Sequence, residues 1–438
     1  MSGQQGLANR KRDTMIIIGG GIAGLIAARE LSGVYQVIVL EAMNRFGGRI
    51  HTINEHGFPG PIEAGAEFLH GKAESTLKLL KEAGIGIVSV EGELCQTDDR
   101  TQDDAGNPGN TAEGREEESD KQWEELLTQM SVLEQDTTLL EFLNKHFGNE
   151  KYNSLQQRAI SYAAGFDLAD AGKVSVKSLY AEWSQHNEDR VVAGGYGQLI
   201  DFLVADCEKR GCELIKNAFV TGVGWGAGFV EVLGQGEMRY RAEKCILTVS
   251  AGVLQNGDIK FNPPIARYHE AATKIGFGNV VKILLSFDQQ LWKDGVSFFL
   301  SDEEVPTWWP QPGNTAAVLT GWAGGERALA LTALSDEELV EKALKSLSAI
   351  FNLDLMLIRK NLNSSKIFNW SKQNTVRGAY SYATPQSHDA LKVLTTPLQD
   401  TLYFAGEAIY SGPDPGTVEA AINSAQRLTS QLRLVHEK

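Results

Sequence analysis

The residues Gly19-Gly20-Gly21-Ile22-Ala23-Gly24 constrain this chain more than any other stretch. They follow at once on Met15 to Gly19, a short β-branched run closed by glycine, and they open a helical stretch from Ala23 to Leu31. A second strand is expected at Val37 to Glu41, which puts Glu41 twenty residues beyond Gly21. Strand, glycine turn, helix and second strand make a βαβ unit, the start of a parallel sheet. The spacing has a physical purpose. Gly19 permits the tight turn, Gly21 lets backbone approach a pyrophosphate, and Gly24 allows close helix–sheet packing. The helix start at Ile22 and Ala23 offers free N–H groups and the positive end of the helix dipole to phosphates. Glu41 and Ala42 then fall where an acid accepts the hydroxyls of an adenosine ribose. A lone glycine pattern is weak, but here strand, helix and acid stand in register, so a bound dinucleotide is expected.

Arg10-Lys11-Arg12 before the apolar stretch Met15 to Ala28 imitates a secretory leader. The glycine spacing and Glu41 explain the same residues better. No apolar run of about 18 residues occurs, so no spanning helix and no membrane partner are expected. Four cysteines, Cys95, Cys207, Cys212 and Cys245, are scattered without a CxxC pair, which argues against a zinc site or a disulfide scaffold. No metal is expected, and a soluble intracellular protein is. The formal charge of −15 argues against a surface that coats nucleic acid. Between residues 98 and 120 nine acids stand against two arginines with no apolar face, so nearly half the net charge belongs to what reads as a solvated insertion.

Along the rest of the chain, helices are expected over 121–164, 198–210 and about 417–432, with another opening at Ser335 as an N-cap. Strands are expected at Phe219 to Val223, Phe229 to Leu233, Cys245 to Val249, Val280 to Phe287, Ala317 to Trp322 and Ala328 to Leu331. The class is α/β plus α+β.

Four residues past Glu41, Arg45-Phe46-Gly47-Gly48-Arg49 provides a second close backbone approach flanked by guanidinium groups suited to phosphate. Together the two motifs resemble the FAD-binding signature of the flavin amine oxidase superfamily, which includes monoamine oxidases, polyamine oxidases and lysine-specific histone demethylases. GAEFLHG (Gly65 to Gly71), VAGGYGQL (Val192 to Leu199), NAFVTGV (Asn217 to Val223), LTVSAGVL (Leu247 to Leu254), GNVVKILLSF (Gly278 to Phe287), NWSKQNTVRGAYSY (Asn369 to Tyr382), FAGEA (Phe404 to Ala408) and GTVEAA (Gly416 to Ala421) extend the likeness in the family's order. It is thin over 85–190 and 290–360.

The resemblance implies a discontinuous Rossmann-like FAD-binding domain, over 14–84, 192–262 and 372–438. A mixed-sheet and helical substrate-binding domain would take 85–191 and 263–371, with a disordered arm at 1–13. It implies a backbone contact from Val220 to the adenine, small residues Gly65 and Ala66 with Glu67 along the flavin, and Gly406 and Glu407 at the ribityl or phosphate region. It places Thr417 and Val418, at a helix start, toward the flavin pyrimidine. Lys282 matches the family lysine, which holds a water near flavin N5 while a hydride equivalent passes from the amine α-carbon. The imine then hydrolyses, and dioxygen reoxidises the flavin to give hydrogen peroxide.

Two departures matter. Ala379 stands before Tyr380 where some monoamine oxidases carry a flavin-linked cysteine, so FAD is expected to be non-covalent. Tyr380 supplies one aromatic ring of the family's amine cage, but Thr417 occupies the place of the second. His70, in a block where polyamine oxidases often have histidine, points to a polyamine as substrate. Glu67 and Asp167 are candidate carboxylates for a distal ammonium, and Trp308 and Trp309 candidate pocket walls. The alternatives are a monoamine or L-amino-acid oxidase, or a flavoprotein serving as a binding or chromatin-associated module. Oligomeric state is not legible.

Overall fold

The computed structural model describes residues 12–96, 112–185, 188–312, 316–412 and 414–436. A five-stranded, wholly parallel sheet runs in the order Leu402–Phe404, Lys244–Leu247, Thr14–Ile18, Gln36–Leu40, Glu213–Ile215. Helices Ile22–Leu31, Gly197–Lys209 and Val418–His436 contribute to the apolar core on one face. A four-stranded sheet containing Val220–Gly226 packs on the other. Strand Thr14–Ile18 has a strand on each side, reached by the chain at different times, so the crevice at its carboxyl end is a topological switch point, where α/β sheets bind ligands.

A second, six-stranded sheet runs Leu362–Asn369, Val280–Phe287, Val318–Gly324, Thr307–Pro310, Val296–Leu300, Glu93–Gln96. Its strand Val280–Phe287 lies between two antiparallel partners, and all eight of its residues are buried. Val281, Ile283 and Leu285 join an apolar core with helix Asp336–Phe351. Lys282 alternates to the opposite face, as period-two geometry requires. Helices Ala112–Ser131, Leu139–His146, Asn153–Gly165 and Val176–Trp183 bury a further cluster. No helix among the described residues is long and apolar enough to cross a membrane.

Three expectations need correction. Ala328 to Leu331 is not a strand but part of helix Gly325–Thr332, since four residues of apolar sequence carry no decisive period. Of the insertion expected over 98–120, residues 98–111 lie outside the described residues, while the chain is already helical from Ala112. Glutamates are good helix formers even without an apolar face. Residues 1–11 of the expected arm also lie outside, but Arg12 donates to the Ser32 carbonyl at 3.0 Å and the Asp13 carbonyl accepts from the Gln36 amide.

Candidate active site

One cavity of about 520 Å³ runs from the crevice of the parallel sheet to the buried face of strand Val280–Phe287. At its first end Gly19, Gly21, Ile22, Ala23, Glu41 and Ala42 form the wall. Gly21 is the N-cap of helix Ile22–Leu31 and offers no side-chain cap, so first-turn amides are left to a ligand. A Cβ at Gly21 would have nothing closer than 3.9 Å, so its absence opens space into the cavity. Gly24 serves packing instead: a Cβ there would lie 2.0 Å from the Gly19 carbonyl oxygen. Glu41 is buried at the end of its strand and accepts from the Gly20 and Met43 amides at 2.6 and 2.8 Å. Burial raises its pKa against those hydrogen bonds.

Further along the cavity come Gly48, Arg49, Val220 and Gly406, then Glu407 and Val418. Arg49 donates to the Ala379 carbonyl at 2.7 Å and to Glu407 at 2.6 Å, and Glu407 also accepts from the Ser381 amide. Thr417 lines the cavity, but its hydroxyl accepts from the Ala420 amide and donates to the Asp414 carbonyl, capping the last helix. Arg45 departs from expectation. It does not line the cavity; its guanidinium donates to the carbonyls of Phe46, Gly48 and Ile50, bracing its own loop. The uncapped helix start, the open Gly21 and the buried acid at a switch point together fit a dinucleotide such as FAD.

At the other end Gly65, Ala66 and Glu67 face Lys282. The Lys282 ammonium, 1% exposed, lies 2.6 Å from one Glu67 carboxylate oxygen and 3.2 Å from the Gly65 carbonyl. The Trp309 indole N–H donates to the other Glu67 oxygen at 3.1 Å. Glu67, expected as a carboxylate for a distal ammonium, is instead paired with the lysine. Nearby Glu63 accepts from the Tyr196 amide at 2.6 Å and the Thr52 hydroxyl at 2.9 Å. Burial pushes its pKa up to about 7, against those hydrogen bonds and the attraction of Lys282. Trp308 is also corrected: it is fully buried in the core of the six-stranded sheet, its N–H spent on the Val305 carbonyl, and Trp309 alone of the pair lines the cavity. Neighbours in a strand point to opposite faces, so only one could.

Tyr380 lines the cavity, its hydroxyl donating to the Phe166 carbonyl, and its nearly parallel neighbour is Trp322, with ring centroids 6.4 Å apart. Burial and the charges of Asp167 and Glu182 push its pKa well up, so the phenol stays neutral. Asp167 is 7% exposed and accepts from the Trp183 indole N–H at 3.2 Å. Its pKa is driven well above the usual range by burial and by Glu182, with which it shares a hydrogen bond. Glu182 and Asp414 are also pushed up, chiefly by burial. His70 pairs with Asp189 at 2.8 Å; its surroundings lower its pKa by desolvation, and Asp189, Glu182 and Asp414 more than reverse that. Glu63, Glu182, Asp189 and Asp414 were missed in the sequence. The first follows Ile62 in an unremarkable strand, and the others lie in segments without a recognisable motif.

A family model described as flavin containing amine oxidoreductase matches residues 22–431. The chain belongs to the flavin-containing amine oxidoreductases. As a member of that family it is an FAD-dependent amine oxidase. It is 28% identical to polyamine oxidase 4 of Oryza sativa subsp. japonica, over 96% of this chain and 88% of the relative. It is 26% identical to lysine-specific histone demethylase 1B of Mus musculus, over 96% of this chain but 52% of that protein. Among solved structures, putrescine oxidase bound to putrescine superposes with a TM-score of 0.78 at 21% identity, covering 97% of this chain and 99% of that one. Cyclohexylamine oxidase from Brevibacterium oxydans also gives 0.78, at 20% identity, covering 98% and 100%. These structural likenesses establish the fold.

Proposed function

We propose that this amine oxidase acts on a polyamine, with dioxygen as acceptor and hydrogen peroxide as co-product. The observation that carries the reading is the distribution of charge along the cavity. At the Lys282 end, the ammonium and Glu67 cancel each other, and Glu63 is uncharged below about pH 7. A substrate nitrogen there meets no net negative charge, which favours the neutral amine that oxidation requires. Elsewhere in the cavity Asp167, Glu182, Asp189 and Asp414 gather, among the described residues, with His70. Burial and the neighbouring Glu182 favour the protonated form of Asp167, which then donates to Glu182. A cationic nitrogen between them would take the place of that proton. An extended amine with one neutral and one charged nitrogen matches both ends.

The first-end residues Gly19, Gly21, Ile22, Ala23, Glu41 and Ala42, with Gly48, Arg49, Val220, Gly406, Glu407 and Val418, would hold FAD, which supplies a two-electron acceptor. Ala379 lies beside Tyr380 where a thioether-forming cysteine would be needed, and none of the four cysteines is among the described cavity residues, which supports non-covalent binding. Lys282 and Glu67 bound the reacting end, Tyr380, Trp309 and Trp322 wall it with apolar surface, and Asp167, Glu182 and His70 orient the far end. An α-amino acid would need a cation for its carboxylate. Arg49, the only arginine among the described cavity residues, is engaged by Glu407. Names of relatives, polyamine oxidase and putrescine oxidase, agree with the reading.

The test is anaerobic mixing of the yellow holoenzyme with spermine, spermidine, putrescine, tyramine and L-amino acids. Rapid bleaching of the flavin band by a polyamine is expected. If only tyramine or an amino acid bleaches it, the polyamine assignment is wrong.

A further inference from the structure

We propose that Glu67 is a positioning residue for Lys282, acting on amine oxidation through that lysine and not by holding the substrate. Lys282 stands on a strand whose eight residues are all buried, and its ammonium is 1% exposed. A cation so placed must be fixed by its partners. One short segment supplies two of them, the Gly65 carbonyl at 3.2 Å and the Glu67 carboxylate at 2.6 Å. The face of Trp309 supplies a third, its ring centre 5.7 Å from the ammonium.

Glu67 is itself held at both oxygens. One accepts from Lys282 and the other from the Trp309 indole N–H at 3.1 Å, and the side chain is only 9% exposed. The carboxylate therefore cannot turn to an incoming amine without breaking a buried ion pair. Trp309 and Lys282 come from strands that sandwich Val318–Gly324, and Gly65 and Glu67 from the segment over them. Glu67 ties the three together, which fixes the lysine's direction into the cavity. It also cancels the lysine's charge where the reacting nitrogen must be neutral. The inference rests on the amine-oxidising use of the cavity and on Lys282 facing the reacting end, not on which amine is used.

A double-mutant cycle separates this role from substrate binding: Glu67→Gln, Lys282→Met and the two combined, with Glu67→Asp as a charge-retaining variant. The thermal midpoint of the holoenzyme is read with no amine present, and kcat and KM are read with spermidine. Glu67→Gln is expected to lower the midpoint in the native background, where it leaves a buried ammonium unpaired, and to leave it unchanged or raise it in the Lys282→Met background, where it removes an unpaired buried carboxylate. It is expected to lower kcat about tenfold while KM stays within about twofold, and to add no further loss once Lys282 is gone. Glu67→Asp should keep the midpoint and recover part of kcat. A rise in KM with kcat retained would show that Glu67 holds the amine and would overturn the proposal. Equal losses from Glu67→Gln in both backgrounds would also overturn it. If spermidine is inert, the polyamine assignment fails, and the thermal cycle still decides for or against Glu67.

Discussion

Two groups of charged side chains along the cavity, around Lys282 and around Asp167, handle charge in opposite ways. Around Lys282 the ammonium is cancelled by the 2.6 Å pair with Glu67, and below about pH 7 burial keeps a proton on Glu63. Around Asp167 four acids gather with His70, and burial raises the pKa of three of them, outweighing the pull of His70 on Glu182 and Asp414. Burial disfavours the charged forms of the acids around Asp167, a cost that a cationic ligand there would offset. The contrast suits a substrate whose nitrogens must be in different protonation states.

The largest test concerns the quiet end. Glu63 has a folded pKa of about 7 against 4.5 for the free side chain, with burial as the main cause. Its folded form therefore binds more protons than the unfolded form between those values, so stability falls as pH rises from about 4.5 to 7 and stays lowered above. The shift corresponds to a penalty on the order of 3 kcal/mol. Glu63→Gln keeps an oxygen for the Tyr196 amide and cannot ionise. Its stability relative to the parent should climb by about that amount from pH 5 to pH 8, read by urea unfolding of both proteins. A difference that does not vary with pH would show that Glu63 is charged in the folded state and that the Lys282 end is not neutral.

At the acidic end Asp167→Asn preserves the shape and the hydrogen bond to Glu182 but cannot become an anion. KM for spermidine should rise on the order of tenfold, as for loss of a hydrogen bond to a charged group. KM for a monoamine of similar length should change by less than about twofold, since it puts no cation there. Equal effects on both amines would mean that Asp167 serves structure alone, and the contrast between the ends would lose its functional meaning.

The same difference explains what could be seen in the sequence. The dinucleotide end is made by contiguous backbone: Gly19 to Gly24 and Glu41 need a fixed spacing, so the residues advertise themselves. The amine end is made by side chains from segments far apart, Glu67, Asp167, Glu182, Trp309 and Asp414, and no spacing rule connects them. Lys282 was legible because a charge inside an apolar strand demands a partner, although the partner was not identifiable. Glu67 stands in a recognisable block, but its pairing is not legible, because sequence does not show that Lys282 reaches it. Trp308 and Trp309 pose a simpler problem: adjacent strand residues face opposite ways, and only the fold says which faces the cavity. Arg45 and Arg49 flank one glycine pair, yet one braces the loop and the other crosses to Glu407, a contact 358 residues away in sequence.

The smallest expected effect concerns His70, the only cationic group among the described residues of the acidic end when it carries its proton. Desolvation acts to lower its pKa, but the hydrogen bond and charge of Asp189, with the charges of Glu182 and Asp414, raise it above the ordinary 6.5. The His70–Asp189 ion pair is therefore complete below the unfolded value and is lost as pH rises through the folded one. Its side chain is half exposed, so solvent screens the pair and little stability rides on it. The consequence is for charge: above the folded pKa the acids lose the His70 imidazolium, and the acidic end becomes more attractive to an ammonium. Following the His70 ring by NMR, the titration midpoint should drop in Asp189→Asn, which removes both the hydrogen bond and the nearest charge, and drop less in Asp414→Asn, which removes only a distant charge. A midpoint that ignores Asp189→Asn would mean that His70 is not tied to that acid.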